Sequence, residues 1–184
     1  MSMRKLPHIC VLLTAGVLAS AAGAETGFSE PATADDVERV YWSIFPDGDN
    51  LPDGSGTVAQ GKPLYDKHCA ACHGFDGEGT LADKLVGGRG TLDSDAPLKT
   101  VGSYWPYATT VFNYVRRSMP YTAPMSLTND NYYAITAFLL NKNDIIADDV
   151  VIDRGSLPMI RMPNRDGFVK AFPDFPKEYD YSEQ

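Results

Sequence analysis

The chain has 184 residues, of which 43% are hydrophobic and 22% charged, and its formal net charge at pH 7 is −8. This composition is ordinary for a globular protein and excludes a wholly disordered chain, and the length allows one domain with extensions. The acidic surplus argues against nucleic acid and anionic lipid surfaces as partners, because phosphate groups attract basic proteins.

The first segment has the features of a secretory signal peptide. Arg4 and Lys5 precede an uncharged apolar run over residues 9–22, and residues 22–24 form a cleavage site of the A-x-A type. The run is shorter than the ~20 residues that a membrane-spanning helix needs. We therefore expect cleavage after Ala24 and an exported protein without a membrane span. The mature chain would have 14 basic and 24 acidic side chains, a net charge of about −10.

Residues 25–54 are predicted to form an N-terminal extension. Apolar residues at helical spacing predict a short helix over residues 35–44, and residues 46–56 are rich in Pro, Gly and Asp and predict a loop.

The first core helix is expected to begin near Thr57 or Lys62 and to run into Cys69. Pro63 is unfavourable inside a helix but tolerable in its first turn. We therefore expect the helix to begin late or to kink at this proline.

The sequence Cys-Ala-Ala-Cys-His at residues 69–73 is a C-x-x-C-H motif, the signature of covalent haem attachment. A helical turn brings Cys69 and Cys72 onto one face, within reach of the two vinyl groups along one porphyrin edge. His73 then lies under the iron as an axial ligand. A thioredoxin-like redox pair would need a βαβ pattern, and a zinc site would need a second Cys/His pair; the mature sequence has neither. Since the motif occurs once, one haem c is predicted, and His68 is expected to point away from the iron.

A glycine-rich stretch over residues 74–90 predicts a loop around the haem edge. The run Ser-Tyr-Trp-Pro-Tyr then precedes a predicted helix over residues 107–117. Tyr104 and Trp105 can donate an O–H and an N–H group to a haem propionate while burying their rings, with core packing as the alternative role. Arg89 is a weaker candidate for the same contact.

Two methionines are candidates for the second axial ligand of the iron, because no other histidine is well placed. Met119 is followed by Pro120, which fixes φ and lacks an N–H group, so the chain turns there. Thr128 is a plausible N-cap of the next helix, nine residues after Met119 but only three after Met125. The longer loop favours Met119, while Met125 would pack near the haem edge.

The clearest predicted helix covers residues 128–141 and is expected to pack across the first core helix. These helices predict an all-α fold with little room for a sheet. The domain is expected to cover residues 55–145, and residues 146–184 to form a C-terminal extension.

Four stretches resemble the cytochrome c subunit of sulfane dehydrogenase, also called a sulfite dehydrogenase cytochrome, of the periplasmic Sox sulfur-oxidation system. The likeness extends over residues 40–168. Tyr-Trp-Pro-Tyr and Met-Pro-Asn-Arg-Asp-Gly are far more specific than the haem motif. The four stretches are residues 99–110, 117–124, 141–145 and 161–168.

This resemblance implies a periplasmic, monohaem cytochrome c of class I with N- and C-terminal extensions. Cys69, Cys72 and His73 match the family's haem motif, and Met119 matches its axial methionine. The chain would accept electrons from a molybdenum-cofactor dehydrogenase subunit that oxidises a sulfur compound such as thiosulfate, and pass them to a downstream cytochrome c. The extensions would dock the molybdenum subunit, and no catalytic residue is assigned to this chain.

Two other functions fit the haem motif. The chain could be a free-standing electron shuttle, which needs only the core. It could also be a haem enzyme or a ligand sensor, which needs an open coordination position on the iron.

Overall fold

The computed structural model describes residues 33–34 and 43–169. The predicted signal peptide, most of the predicted helix over residues 35–44 and the tail from residue 170 lie outside the described residues. From residue 43 onward the described chain is mainly helical, which agrees with the predicted all-α class. The elements are β1 (Ser55–Thr57), α1 (Val58–His68), α2 (Ala70–His73), α3 (Ala108–Ser118), α4 (Asn129–Lys142), β2 (Val151–Asp153) and a 3₁₀ turn (Leu157–Met159).

Helix α1 begins early because Thr57 and Gln60 form a capping box. The Thr57 hydroxyl accepts from the Gln60 N–H group (3.2 Å), and the Gln60 side chain accepts from the Thr57 N–H group (3.0 Å). Pro63 therefore lies in the second turn, where it cannot donate to the Ala59 carbonyl group. Both residues are exposed, so water can replace the missing donor. The predicted start near Thr57 is confirmed, and the later start at Lys62 is wrong.

Helices α3 and α4 lie within one residue of their predicted bounds. Thr128 is the N-cap of α4, as predicted, and its hydroxyl accepts from the Asn131 N–H group at 3.2 Å. Residues 132–140 of this helix are all buried, because α1, α3 and both strands pack around it. No helix in the described part of the chain is both long enough and apolar enough to cross a membrane.

Helices α1 and α4 cross at Gly61, which confirms the predicted packing of the terminal helices. A Cβ atom at Gly61 would overlap the backbone carbonyl of Ala134 and lie 2.7 Å from the Phe138 Cβ atom. One turn later the Tyr65 ring packs on Phe138, with ring centroids 4.9 Å apart. The missing side chain thus allows a close approach of the two backbones.

The segments that flank the helices belong to the same core. Strands β1 and β2 pair in antiparallel fashion, with Gly56 opposite Ile152, and both pack on α4. A sheet is therefore present, but each strand has only three residues, which agrees with the expectation of little room for a sheet. The described parts of the predicted extensions are packed rather than appended, since five of their apolar residues are buried. These are Ile44, Leu51, Ile152, Leu157 and Met162.

Candidate functional site

The C-x-x-C-H motif forms one tight turn directly after α1. The carbonyl group of Cys69 accepts hydrogen bonds from the N–H groups of Cys72 (3.1 Å) and His73 (3.0 Å). This turn spaces Cys69 and Cys72 as i and i+3, so the geometry that the motif predicts is present. Both cysteines are free; Cys69 packs against the core and Cys72 is exposed.

The Cys69 thiol is in its protonated form at neutral pH. Burial, and to a smaller extent the neighbouring Cys72, raises the pKa of the Cys69 thiol to about 11. Two free thiols on one turn fit a covalently bound haem better than they fit a disulfide or a metal.

The His73 ring is held by a backbone carbonyl. Its Nδ1 atom lies 2.7 Å from the carbonyl oxygen of Asp83. Because a carbonyl only accepts hydrogen bonds, Nδ1 carries a proton here, and in the neutral ring the lone pair is on Nε2. A histidine held in this way presents Nε2 as a ligand to a metal, because the hydrogen bond from Nδ1 sets both the tautomer and the orientation of the ring.

The loop after His73 turns sharply at Gly74, whose φ is +82°. The buried hydroxyl of Tyr65 donates to the Gly74 carbonyl group at 2.8 Å, and burial raises the pKa of Tyr65, so this donor keeps its proton. Further on, the Gly77 carbonyl accepts from the Leu85 N–H group at 2.9 Å. The predicted loop over residues 74–90 is therefore a folded structure with its own hydrogen bonds.

Asn143, at the C-terminal end of α4, fixes this loop from the other side. Its side-chain nitrogen donates to the carbonyl groups of Leu85 (3.1 Å) and Leu139 (2.8 Å), and its side-chain oxygen accepts from the Gly87 N–H group (3.2 Å). The Arg89 guanidinium donates to the Asn143 carbonyl at 2.6 Å. Arg89, the weaker propionate candidate, thus caps the end of α4.

The two candidate methionines differ in their surroundings. Met119 directly follows α3 and packs, partly buried, against the same hydrophobic core as Cys69. Met125 is 48% exposed and has a left-handed backbone conformation, with φ of +59°. The structure therefore brings Met119, but not Met125, onto the core that Cys69 also contacts.

The two aromatic candidates also lie in different places. Trp105 is partly buried against the core, and its ring packs on Tyr114 with centroids 5.5 Å apart. The Tyr104 ring lies between Phe168, with centroids 5.3 Å apart, and the Lys99 ammonium group, 5.2 Å from the ring centroid. Of the two, only Trp105 packs against the core that Met119 contacts, and the propionate contact stays a prediction for both.

Three contributors to the site were missed by sequence reasoning. The acceptor for His73 is a backbone carbonyl of Asp83, which leaves no side-chain signal. Asn143 could have been found as a polar residue directly after a buried helix. The third is Tyr132, whose hydroxyl donates to the carbonyl group of Met119 at 3.2 Å, 13 positions away in the sequence.

Comparison with known proteins agrees with this geometry. Residues 58–143 match the cytochrome c family. The crystal structure of the sulfane dehydrogenase SoxCD from Paracoccus pantotrophus contains a chain with 40% sequence identity and a TM-score of 0.72, over 85% of this chain and 76% of that one. The thiosulfate dehydrogenase of Stutzerimonas stutzeri (strain A1501) is 26% identical over an alignment of 160 residues that covers 84% of this chain. The chain spans about half of that relative's length, 46%.

The matches cover the haem motif, the helices and the flanking segments together, and they confirm the predicted class I cytochrome c fold. Membership of the cytochrome c family implies a covalently bound haem c and a role in electron transfer. The chain belongs to the cytochrome c family.

Proposed function

We propose that this chain is the periplasmic electron-transfer subunit of a molybdenum-dependent sulfane or sulfite dehydrogenase that oxidises sulfur compounds such as thiosulfate. The observation that carries this proposal is the 40% identity, over 85% of this chain, to a chain of the sulfane dehydrogenase SoxCD. The similarity to a thiosulfate dehydrogenase supports the same substrate class.

In this proposal one haem c is held by four side chains. Cys69 and Cys72 would form the thioether links, and His73 Nε2 and Met119 Sδ would bind the iron. Haem iron, when bound, takes up and releases one electron at a time. Methionine ligation raises the potential relative to ligation by two histidines or by thiolate, and suits an electron carrier. Trp105 and Tyr104 stay proposed donors to the propionates.

Substrate oxidation belongs to a partner subunit in this proposal. If His73 and Met119 both bind the iron, it would have no open position for a substrate. The chain would therefore accept electrons from the molybdenum-containing subunit and pass them to a downstream cytochrome c. A free-standing shuttle would lack the first of these partners, and a haem enzyme would lack the second axial ligand.

The ligand assignment is tested by visible spectroscopy of the ferric, haem-loaded protein. A methionine bound to ferric haem gives a weak sulfur-to-iron band at about 695 nm. We expect Met119→Ala to lose this band and Met125→Ala to keep it. Loss of the band in Met125→Ala alone would transfer the assignment to Met125. A wild-type protein without the band would favour the enzyme or sensor.

The partner and location are tested on tagged protein purified from the periplasm of a sulfur-oxidising host. We expect molybdenum to co-purify with the chain, and mass spectrometry to give Glu25 as the first residue. Haem reduction by thiosulfate or sulfite should require the co-purified fraction. A chain that purifies without molybdenum and is reduced equally well alone would be a free-standing shuttle.

A further inference from the structure

We infer that the hydroxyl group of Tyr132 positions Met119, because it ties together the two ends of the loop that carries this methionine. The inference rests on the proposed function in one respect, namely that Met119 is an axial ligand. Tyr132 is then a positioning residue that acts through Met119 and does not itself touch the iron.

The Tyr132 hydroxyl bonds both ends of the loop over residues 119–127. It donates to the backbone carbonyl of Met119 at 3.2 Å and accepts from the backbone N–H group of Leu127 at 3.3 Å. A phenol has one O–H donor and can also accept, so the group uses both capacities here. A single oxygen atom therefore joins the first and last residues of the loop.

The position of this hydroxyl is fixed by helix α4. Tyr132 is 1% exposed and its ring belongs to the hydrophobic core. Its N–H group donates to the carbonyl of Thr128 at 3.1 Å, in the turn that the Thr128 side chain caps. The tyrosine is thus anchored by packing and by the helix before its hydroxyl meets the loop.

The rest of the loop has few such anchors. Tyr121 is 85% exposed and Met125 is 48% exposed. Its other hydrogen bonds join backbone groups. The Met119 N–H group donates to the Val115 carbonyl at 3.0 Å as the last bond of α3, Ala123 bonds Pro120 at 2.8 Å, and Met125 bonds the Arg116 carbonyl at 3.2 Å. None of these three bonds joins Met119 to the end of the loop. The Tyr132 hydroxyl is therefore the side-chain group that holds Met119 and Leu127 together.

Tyr133 offers a matched control on the same helix. It is 0% exposed, and its hydroxyl donates to the backbone carbonyl of Pro52 at 2.9 Å, in the segment before β1. Tyr132→Phe and Tyr133→Phe each remove one buried phenol oxygen and keep the ring. They differ in what the oxygen holds, because only Tyr132 bonds the methionine loop.

The experiment measures how readily added imidazole displaces Met119 in ferric, haem-loaded protein. The apparent Kd for imidazole is inversely proportional to the fraction of molecules whose methionine has detached, so a larger detached fraction gives a lower apparent Kd. Loss of the two Tyr132 bonds is expected to raise that fraction by about tenfold. We therefore expect Tyr132→Phe to lower the apparent Kd about tenfold and Tyr133→Phe to keep the wild-type value, although both variants unfold at lower urea concentrations.

Equal imidazole affinities for Tyr132→Phe and the wild type would overturn the inference, and so would equal increases in both variants. Met119→Ala separates this failure from failure of the proposed ligand. If Met119→Ala keeps the band at about 695 nm, the ligand assignment is wrong. If it loses the band while Tyr132→Phe behaves as wild type, only the role of Tyr132 is wrong.

A second measurement needs no variant. Amide hydrogen exchange at Leu127 in the haem-loaded wild type should be slow, because its N–H group is bonded to Tyr132. Exchange at the rate of an unprotected loop amide would overturn the inference even if Tyr132→Phe failed to incorporate haem.

Discussion

The two loops that follow the proposed iron ligands are held in different ways. The loop after His73 is bonded within itself and to the end of α4, through Gly77, Asn143 and Arg89. The loop that begins at Met119 is largely exposed, and its side-chain anchor is the hydroxyl of Tyr132. Local stability follows the number of buried contacts and hydrogen bonds, so the histidine loop should open only when the domain unfolds, whereas the methionine loop can open separately.

This difference matches the chemistry of the two ligands. The proposed covalent link at Cys72 would keep His73, the next residue, close to the haem, and the His73 ring orientation is set by the Asp83 carbonyl. Met119 would reach the iron without any covalent link. A cytochrome built in this way keeps its cofactor firmly attached while the sixth coordination position depends on the conformation of one loop.

The largest expected effect is that of Asn143→Ala, which tests whether the histidine loop is held more firmly than the methionine loop. It would leave the Leu85 carbonyl and the Gly87 N–H group without their side-chain partner and open a cavity at a buried site. We expect a loss of about 3 kcal/mol in the free energy of unfolding, measured by urea denaturation of the haem-loaded protein.

The control for this prediction is Asn129→Ala, at the other end of α4, where the side chain donates to the Asp53 carbonyl at 3.2 Å. Asn129 is only partly buried, so we expect a loss below about 1 kcal/mol. Equal losses for the two variants would mean that the histidine loop is not held more firmly than an ordinary surface turn.

Substitutions at two glycines of the histidine loop test how tightly this loop is packed, with a smaller expected loss of stability. Gly88 (φ +72°) and Gly90 (φ +76°) have the same left-handed conformation. A Cβ atom at Gly88 would lie 2.5 Å from the Leu98 carbonyl oxygen, whereas one at Gly90 would meet nothing within 4 Å. We expect Gly90→Ala to cost about 1 kcal/mol from backbone strain, and Gly88→Ala about 2–3 kcal/mol because overpacking is added.

Urea denaturation of both glycine variants measures this difference directly. A similar cost for the two would show that the loop is constrained by its backbone conformation alone and not by packing. The evidence that the histidine loop is held more firmly than the methionine loop would then come from the stability loss of Asn143→Ala alone.

The smallest expected effect concerns the ion pair between Asp76 and Lys142, whose Oδ1 and Nζ atoms are 2.7 Å apart. The hydrogen bond from Lys142 lowers the pKa of the Asp76 carboxyl below its ordinary value of 3.8. Because the folded-state pKa is lowered, the pair stabilises the fold above pH 3.8, and the stabilisation is lost as the pH falls through the lower folded-state value.

Asp76→Asn should therefore be slightly less stable than wild type near neutral pH, with a difference that shrinks in acid. Urea midpoints measured along a pH series provide the check. A difference that grows in acid would mean that the pair does not stabilise the folded loop. Both groups are at the surface, so high salt should also reduce the difference.

Local chemistry made part of this structure predictable from sequence. The helix bounds, the Thr128 cap and the turn at Cys69 follow from residues within a few positions of one another. Pro63 suggested the later helix start at Lys62, which is wrong, because the loss of one backbone hydrogen bond on an exposed helix face costs little free energy. The choice of Met119 as the candidate ligand, which stays a prediction, rests on loop length and on the following cap, and both are visible in the sequence.

The contacts that distinguish the two loops were not predictable in this way. Asn143 bonds residues 56 and 58 positions away, and the hydroxyl of Tyr132 meets a backbone carbonyl 13 positions away. A polar or aromatic residue at such a position gives no indication of its partner. The flanking strands were missed because three residues are too few to show an alternating pattern.

The short sheet has a consequence for how such a domain can be combined with others. Because Ser55 and Asp153 face each other across β1 and β2, the chain enters and leaves the helical core at neighbouring points. A segment with adjacent ends can be inserted into a surface loop of another protein, or joined in tandem to a copy of itself, without moving the ends apart. Such a transferred unit would have to keep Ile44, Leu51, Leu157 and Met162 together with the helices, because these residues beyond the strand pair are buried in the same core.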